Sequence, residues 1–328
     1  MQSRKTSADL WHQKPYYSLD AWCKNTYGRK LYKAALNIGC TCPNRDGTLD
    51  TRGCIFCSAG GSGDVAASRQ LSVTDQLNQA KALLSSKWTP EPGKPSLIAY
   101  FQAYTNTYGD PDRLLSCYEE ALSSPEVAGI SIATRPDCLS DIILEGLDRL
   151  RLLYPDRFIW IELGLQSIHD HTAARIRRGY PTSVFYDAAA KLHARRLPFI
   201  VHLILGLPGE TRLDLLESIR AVNQVHPFGV KLQLLHILKG TDLALLYEAG
   251  KLPVLTQEEY LDLLTSCIAA LSPDICLHRV TGDGPRKLLI APQWSLSKRN
   301  VLNGLHALMK QRNLRQGDNY EPGTSYTL

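Results

Sequence analysis

The sequence lacks the features that mark a membrane-spanning, secreted or repetitive chain. No stretch of its 328 residues approaches the roughly 18 uninterrupted apolar residues of a membrane-spanning helix. The opening segment MQSRKTSADLWHQKP has no apolar core of the kind that signal peptides carry, and we find no internal repeat or low-complexity tract. These absences predict a cytoplasmic globular protein that does not associate with membranes.

The sequence also lacks a dinucleotide-binding motif, and its cysteines are clustered in one segment. The glycine-rich residues 61–63 follow a cysteine-rich loop and lack the G-x-G-x-x-G spacing of a nicotinamide or flavin site. Nine cysteines is an odd number, and four of them lie between positions 40 and 57. In a reducing compartment such crowding indicates metal binding or catalysis more than a disulfide framework.

The formal net charge of +5 is unevenly distributed along the chain. Residues 1–60 carry +5 and residues 279–328 carry another +5, so that the middle of the chain carries −5. A basic surface of this kind is what binding to a polyanion such as a nucleic acid requires. The alternative is that both ends are simply solvated, and composition alone leaves that alternative open.

The pattern of apolar residues predicts an α/β fold. Short apolar runs alternate with amphipathic stretches, as in βαβ units with a parallel sheet. Strands are predicted at 32–38, 97–102, 129–133, 158–165, 199–205 and 230–235, with a weaker one at 275–280; helices are predicted at 75–86, 112–123, 140–153, 182–195, 211–225 and 256–271. Six such units favour a partial (β/α)6 barrel that spans residues 1–281. An extension follows at 282–328, with a basic helix at 297–312 and a polar tail.

The cysteine-rich loop has two interpretations. The spacing C-x-C-x11-C-x2-C of Cys40, Cys42, Cys54 and Cys57 could form a closed structural zinc site with four sulfurs. Alternatively Cys42, Cys54 and Cys57 alone could hold a 4Fe-4S cluster and leave one iron open to a substrate or cofactor. The position of the loop after the first predicted strand, at the mouth of the barrel, favours the cluster.

The loop and several later motifs resemble one family. CPNRDGT ahead of GCIFC resembles the radical S-adenosylmethionine (SAM) proteins of the YhcC/YtqA type, and more distantly the radical SAM domain of the Elongator catalytic subunit. The motifs YFQAYTNTY, ATRPD, IELGLQS, RIRRGY, HLILGLPGET, KLQLLHILKGT and GDGPRKLLIAPQW follow in the family's order. The resemblance implies a radical SAM barrel with Cys42, Cys54 and Cys57 as the ligands of a 4Fe-4S cluster.

The resemblance also implies which residues contact SAM. They are Gln102, Thr105 and Asn106 after the second strand, Thr134 and Arg135 after the third, Gln166 and Ser167 after the fourth, Arg178 for the SAM carboxylate, and Leu205 and Gly206 beneath the adenine. Arg177 is the alternative to Arg178. His169 and His171, two positions apart, are predicted to be surface or structural residues, because this spacing points them in different directions on a helix.

The resemblance implies a radical SAM enzyme that cleaves SAM to a 5'-deoxyadenosyl radical, using an external one-electron donor such as flavodoxin or ferredoxin. Elongator-type enzymes act on the wobble uridine of tRNA, so we expect tRNA modification, with conversion of 5-carboxymethylaminomethyluridine to 5-aminomethyluridine as the candidate step. We expect phosphate contacts from Arg29, Lys30, Lys33, Lys298, Arg299, Lys310, Arg312 and Arg315. Two alternatives remain: a radical SAM enzyme for a peptide or small metabolite, and a non-catalytic zinc-containing RNA-binding protein. No catalytic residue is assigned.

Overall fold

A computed structural model describes residues 10–64, 66–84, 93–282 and 284–322. The chain divides into two compact units. The first unit comprises Arg29–Gly164 and Ser183–Phe199, and the second comprises Met1–Gly28, Leu165–Thr182 and Ile200–Leu328. This division does not test the predicted domain boundary at 281/282, which stays a prediction. Within the described ranges, none of the helices combines the length and apolarity that crossing a bilayer demands.

Seven strands form a sheet in which every recorded pairing is parallel, as the alternating pattern predicts. They are β1 (Tyr32–Leu36), β2 (Leu97–Phe101), β3 (Val127–Thr134), β4 (Phe158–Gln166), β5 (Phe199–Leu205), β6 (Gly229–Leu234) and β8 (Cys276–Arg279), in the order β1-β2-β3-β4-β5-β6-β8. Two short strands, β7 (Ile237–Leu238) and β9 (Leu289–Ala291), form a separate antiparallel pair. The six main strand predictions and the weaker seventh are therefore confirmed, with shifts of a few residues at their ends.

Helices connect the strands in the predicted alternation. They are α1 (Leu19–Tyr27), α2 (Val73–Leu84), α3 (Pro111–Ser123), α4 (Asp141–Leu153), α5 (Asp170–Arg175), α6 (Thr182–Ala194), α7 (Arg212–Val225), α8 (Asp242–Glu248), α9 (Gln257–Ala270) and α10 (Lys298–Gln311). The basic C-terminal helix is thus present. Residues 85–86 of the predicted helix 75–86, and residues 323–328 of the polar tail, lie outside the described residues.

Local sequence explains where these helices begin and what they bury. Thr211 and Thr256 each form a capping box, in which the threonine side chain and the acidic residue three positions later satisfy each other's backbone N–H groups. Gly146 on α4 lets the helix approach Leu115 on α3, because a Cβ at position 146 would lie 2.3 Å from a Leu115 methyl carbon. The caps fix where α7 and α9 begin, and the Gly146–Leu115 contact sets how closely α4 packs on α3.

One face of the first unit's strands carries a polar network. Lys33 on β1 donates to Glu162 Oε1 on β4 at 3.0 Å, and Ser131 on β3 donates to the same oxygen at 2.6 Å. The Lys33 ammonium also lies 4.5 Å from the centre of the Tyr100 ring. Because Lys33 reaches across two intervening strands, this face is concave. The pairing of the Lys33 charge with the buried Glu162 disfavours the expected contact of Lys33 with tRNA phosphate.

Candidate cluster site and cofactor residues

The cysteine-rich loop follows the carboxyl end of β1 and folds back on itself. The amide of Gly53 donates to the Asn44 carbonyl at 2.7 Å, and the amide of Cys57 donates to the Cys54 carbonyl at 3.0 Å. The first bond brings the Cys54 end of the loop back to the Cys42 end, and the second forms the tight turn of the C-x2-C pair. Three cysteines that are separated in sequence therefore belong to one compact substructure.

Each of the three cysteines has its own nitrogen donor. Arg135 Nη1 lies 4.0 Å from Cys42 Sγ, and Asn44 Nδ2 donates to Cys54 Sγ at 3.6 Å. The Arg45 side chain bonds to the Cys57 thiol and also donates to the Cys57 and Ser58 carbonyls at 2.6 and 2.9 Å. Donors of this kind favour thiolate sulfur, the form that binds metal. All three thiols are half-buried.

The thiol electrostatics show that the three sulfurs are neighbours. Burial, together with the nearby Cys57 and Cys42 thiols, raises the pKa of Cys54 to about 12. Burial is likewise the main cause of the raised pKa of Cys57, with an additional contribution from Cys42. Three adjacent thiolates without a cation would be unfavourable. A positively charged metal centre would therefore fit the donor set, because ligand deprotonation and metal binding are coupled.

Cys40 is directed away from this group. Its thiol is buried and its pKa is raised to about 11, chiefly by desolvation, and the charged groups that affect it are Arg113 and Cys117. A zinc ion with Zn–S bonds of about 2.3 Å needs sulfurs roughly 3.8 Å apart. No three cysteine sulfurs lie within 4.8 Å of one another among the described residues. Both observations disfavour the four-sulfur zinc interpretation.

The turn after β2 packs against the cysteine-rich loop. Gly61 adopts a φ of +59°, and a Cβ there would lie 2.3 Å from the Tyr104 ring, so only glycine permits this contact. The predicted SAM residues Gln102 and Thr105 lie in this turn: Gln102 donates to the Ser62 carbonyl, and the Thr105 amide donates to the Thr41 carbonyl at 3.1 Å. The loop and the turn are therefore interlocked.

Asn106 offers an acceptor that the described residues leave unused. Its amide and its Nδ2 both donate to the Ala133 carbonyl at 3.0 Å, whereas its Oδ1 is buried and accepts no hydrogen bond from any residue that the structure describes. Thr134 lies beside it, with its hydroxyl 2.5 Å from that of Thr107. A buried, unmatched oxygen is the kind of group that a ligand's amine would satisfy.

Arg135 belongs to the cysteine site more clearly than to a SAM site. It is 8% exposed, forms an ion pair with Asp137 at 2.7 Å and directs Nη1 at Cys42. The structure thus brings Thr105, Asn106, Thr134 and Arg135 to the same edge of the first unit as the three cysteines. The sequence motif pointed to Arg135 as a SAM residue and did not show that its guanidinium faces the Cys42 sulfur.

The remaining predicted SAM residues lie in the second unit. Gln166 has a φ of +62° at the end of β4, and the Ser167 hydroxyl donates to the Glu210 carboxylate. Leu205 ends β5 and is fully buried, while Gly206 has a φ of +89° and packs on Leu255. Gly206 therefore serves a turn whose backbone conformation favours glycine.

The expected role of Arg178 is corrected. Its side chain is 1% exposed, and its donors are used by the carbonyls of Leu165, Ser167 and Tyr180 and by the side chains of Asp170 and Thr182. A guanidinium committed in this way holds the chain after β4 together and cannot also clamp a carboxylate. The alternative, Arg177, forms an ion pair with Asp242.

Sequence reasoning missed one cluster of polar residues. His169 Nε2 lies 3.7 Å from Asp214 Oδ1 and 3.5 Å from Glu217 Oε2. The same nitrogen is 3.1 Å from the Asp214 carbonyl oxygen, and Asp214 Oδ2 closes the capping box at Thr211. The predicted structural role of His169 agrees with these contacts. No motif signals the cluster, because it depends on how α5 and α7 pack.

Comparison with known proteins identifies the family. The profile of the Radical SAM superfamily matches residues 37–222, and that of the Radical_SAM C-terminal domain matches residues 227–311. The chain is 40% identical over 305 residues to the uncharacterized protein YtqA of Bacillus subtilis, covering 93% of this chain and 92% of YtqA. It is 36% identical over 271 residues to protein YhcC of Escherichia coli, covering 82% and 84%.

The chain belongs to the radical SAM superfamily. A solved structure of the archaeal Methanocaldococcus infernus Elp3 superposes with a TM-score of 0.62 at 16% identity, covering 87% of this chain and 64% of that one. This likeness shows the fold, and the expected partial radical SAM barrel with a C-terminal helix is confirmed. Radical SAM membership also makes the chain an enzyme of this superfamily, whose members use SAM and a 4Fe-4S cluster.

Proposed function

We propose that Cys42, Cys54 and Cys57 hold the 4Fe-4S cluster of this radical SAM enzyme. The observation that carries the proposal is that each thiol has a separate nitrogen donor, from Arg135, Asn44 and Arg45, while Cys40 faces another region. Three ligands would leave one iron open to SAM. When bound, the cluster supplies the electron that converts SAM into methionine and a 5'-deoxyadenosyl radical.

The chain's own residues would orient SAM and shield the reaction. Asn106 Oδ1 would accept a hydrogen bond from the SAM amino group, since it is buried without a partner among the described residues. Gln102, Thr105 and Thr134 would border SAM on the same edge of the first unit. We also propose Gln166, Ser167, Leu205 and Gly206 as SAM-binding residues, as the family resemblance implies. Arg178 is left out, because its guanidinium is fully engaged.

We propose tRNA as the substrate, with the wobble uridine as the modified nucleoside. The resemblance to Elongator-type enzymes implies tRNA, and α10 supports it by exposing Lys298, Arg299 and Lys310. Two of the other predicted phosphate contacts are weakened, since Arg312 pairs with Asp262 and Arg315 lies over the Trp11 ring. The proposed step remains conversion of 5-carboxymethylaminomethyluridine to 5-aminomethyluridine, with flavodoxin or ferredoxin as electron donor.

The test is anaerobic incubation of the reconstituted protein with reductant, SAM and total tRNA, followed by nucleoside mass spectrometry. We expect 5-carboxymethylaminomethyluridine to decrease and 5-aminomethyluridine to increase in equal amounts. The Cys54→Ala variant serves as the inactive control. If SAM is cleaved while every tRNA nucleoside stays unchanged, the tRNA assignment is wrong and a peptide or small metabolite becomes the substrate class to examine.

A further inference from the structure

The second unit contains a group of potential metal ligands that the proposed cofactor site does not use. His169, Asp214 and Glu217 each offer one ligand atom, and these three atoms all lie within 4.8 Å of one another. His169 follows β4, whereas Asp214 and Glu217 lie one turn apart on α7. The fold therefore brings one imidazole nitrogen and two carboxylate oxygens together from two distant segments.

The distances within this group suit ligands of one ion better than hydrogen bonds. His169 Nε2 lies 3.7 Å from Asp214 Oδ1 and 3.5 Å from Glu217 Oε2. Ordinary N–H···O hydrogen bonds are shorter, at about 2.9 Å. An ion with bonds of about 2.0 to 2.2 Å holds neighbouring ligand atoms about 3.0 to 3.6 Å apart. Small side-chain rotations would therefore bring all three atoms within bonding distance of one ion.

The imidazole nitrogen has one competing contact, to a backbone oxygen. His169 Nε2 lies 3.1 Å from the Asp214 carbonyl oxygen. When Nε2 binds a metal ion, the ring proton resides on Nδ1 and this hydrogen bond is given up. Its loss involves one contact of a half-buried side chain, which is a small cost beside three bonds to a metal ion.

His171 places a second imidazole beside the first. Two side chains at i, i+2 point in different directions when both lie on one helix, which is why the sequence predicted surface or structural roles. His169 is instead the N-cap of α5, with an extended backbone at φ −85° and ψ 119°. The two ring centroids consequently lie 5.4 Å apart. The second imidazole is therefore close to the group without belonging to it.

Hydrogen bonds from outside the group hold two of its members. The His169 amide donates to Ser167 Oγ at 3.1 Å. Asp214 Oδ2 accepts hydrogen bonds from the Thr211 amide and hydroxyl, both at 2.7 Å. Asp214 Oδ1 is the oxygen that remains on the side of His169. Partners that orient the ligands in this way are characteristic of metal sites.

The charges and donor types favour a divalent transition-metal ion. Hydrogen bonds from Thr211, together with His169 and His171, lower the pKa of Asp214, so that its carboxyl group is ionised at pH 7. Two carboxylates beside an imidazole attract a cation. Mg²⁺ and Ca²⁺ prefer oxygen ligands alone, whereas transition metals accept imidazole nitrogen together with carboxylate oxygen.

We propose that His169, Asp214 and Glu217 bind a divalent transition-metal ion, with water completing its coordination. The ion ties the segment after β4 to α7, and it is a different site from the cysteine-rich loop. The inference requires neither the proposed SAM contacts nor tRNA as the substrate. The competing explanation is an acidic surface that attracts any cation by charge alone, and a metal–nitrogen bond distinguishes the two.

The test uses Mn²⁺ as the probe, because its electron paramagnetic resonance signal reports both binding and ligand type. The anaerobic, cluster-loaded protein is desalted with a chelator to remove exchangeable ions and is then titrated with Mn²⁺ without reductant. We expect one Mn²⁺ per chain, a directly bonded ¹⁴N nucleus in pulsed spectra, and retention of the ion in a large excess of Mg²⁺.

Substitutions then locate the ligands. His169→Asn removes the imidazole and keeps a residue suited to a helix N-cap, so we expect loss of the ¹⁴N coupling and at least about tenfold weaker binding. Glu217→Gln changes an exposed side chain without changing its size, and we expect a similar loss of affinity that does not depend on how His169→Asn folds. Two exposed controls should bind Mn²⁺ as the wild type does: His226→Asn at the other end of α7, and Glu258→Gln on α9.

Four results would overturn the inference. The first is a wild type that binds no Mn²⁺. The second is bound Mn²⁺ without ¹⁴N coupling or with ready displacement by Mg²⁺, which would show attraction by charge alone. The third is ¹⁴N coupling that persists in His169→Asn, and the fourth is wild-type affinity in both His169→Asn and Glu217→Gln. Each of them leaves the cluster and the tRNA proposals as they stand, because those are tested by iron, sulfide and nucleoside analysis.

Discussion

Arg135 Nη1 lies 4.0 Å from Cys42 Sγ, and the same guanidinium is held by Asp137 at 2.7 Å. The ion pair fixes the arginine so that its remaining donor points at a proposed cluster ligand. Groups that surround the ligands of a metal site tune the metal's properties as well as the geometry of its ligands. The relationship therefore links a motif residue to the electronic properties of the site.

Replacing Arg135 should lower the reduction potential of the reconstituted cluster. Reduction adds negative charge, which the guanidinium stabilises, and losing a contact worth about 1 kcal/mol corresponds to roughly 40 mV for one electron. We expect Arg135→Gln to show this decrease in a spectroelectrochemical titration without SAM. Arg149→Gln, on the exposed face of α4, is the control. An unchanged potential in Arg135→Gln would show that the guanidinium does not affect the cluster.

Replacing Gly61 should impair cluster assembly. A Cβ at this position would lie 2.3 Å from the Tyr104 ring, whereas a Cβ at Gly47, in the same loop and with a φ of +93°, would meet nothing within 4 Å. Both alanine variants carry the backbone strain of about 1 to 2 kcal/mol, and only Gly61→Ala adds the clash. We expect reduced iron content for Gly61→Ala alone. Equal iron content in the two variants would contradict the interlocked loop and turn.

Replacing Arg178 should affect stability first. Arg178→Met leaves the Leu165, Ser167 and Tyr180 carbonyls without this donor in a buried region, so we expect a loss of at least about 3 kcal/mol. That loss corresponds to an apparent melting temperature roughly 6 to 12 °C lower. Arg299→Met, at an exposed position, should melt as the wild type does. If Arg178→Met melts as the wild type does but loses SAM affinity, Arg178 has the SAM-carboxylate role after all.

The fold was largely predictable from the sequence. The β-branched and apolar runs identify the strands because buried parallel strands need them, and capping threonines mark the helix starts at α7 and α9. The helices α1, α5 and α8, of nine, six and seven residues, were not predicted. In α5 and α8, fewer than two turns cannot display the i, i+3, i+4 repeat on which such a prediction depends, and α1 has little more than two turns.

The sequence named candidate site residues but could not show their contacts. The motif RRGY pointed to Arg178, but only the folded chain shows that the Leu165 and Ser167 carbonyls converge on its guanidinium. The same holds for Cys40, whose spacing alone allowed a fourth sulfur ligand. Its burial toward Arg113 depends on α3, which is distant in sequence.

Neutralising two exposed cations on α10 should weaken tRNA binding in a salt-dependent way. Each phosphate contact contributes about 0.9 to the slope of log affinity against log salt concentration on duplex nucleic acid. We expect the double variant Arg299→Gln, Lys310→Gln to flatten the slope by up to about 2 in filter-binding titrations. Lys239→Gln, Lys251→Gln removes the same charge from other exposed positions and is the control. A wild-type slope in the first double variant would show that these α10 cations do not contact tRNA.

The central claim, that Cys42, Cys54 and Cys57 hold a 4Fe-4S cluster, is tested most directly by metal and sulfide analysis after anaerobic reconstitution. We expect iron and sulfide in the proportions of one 4Fe-4S cluster per chain in the wild type and in Cys40→Ala, and 5'-deoxyadenosine when SAM and reductant are added. Cys42→Ala, Cys54→Ala and Cys57→Ala should each lose the brown chromophore and the 5'-deoxyadenosine. One zinc ion per wild-type chain, or loss of the cluster in Cys40→Ala, would contradict the account.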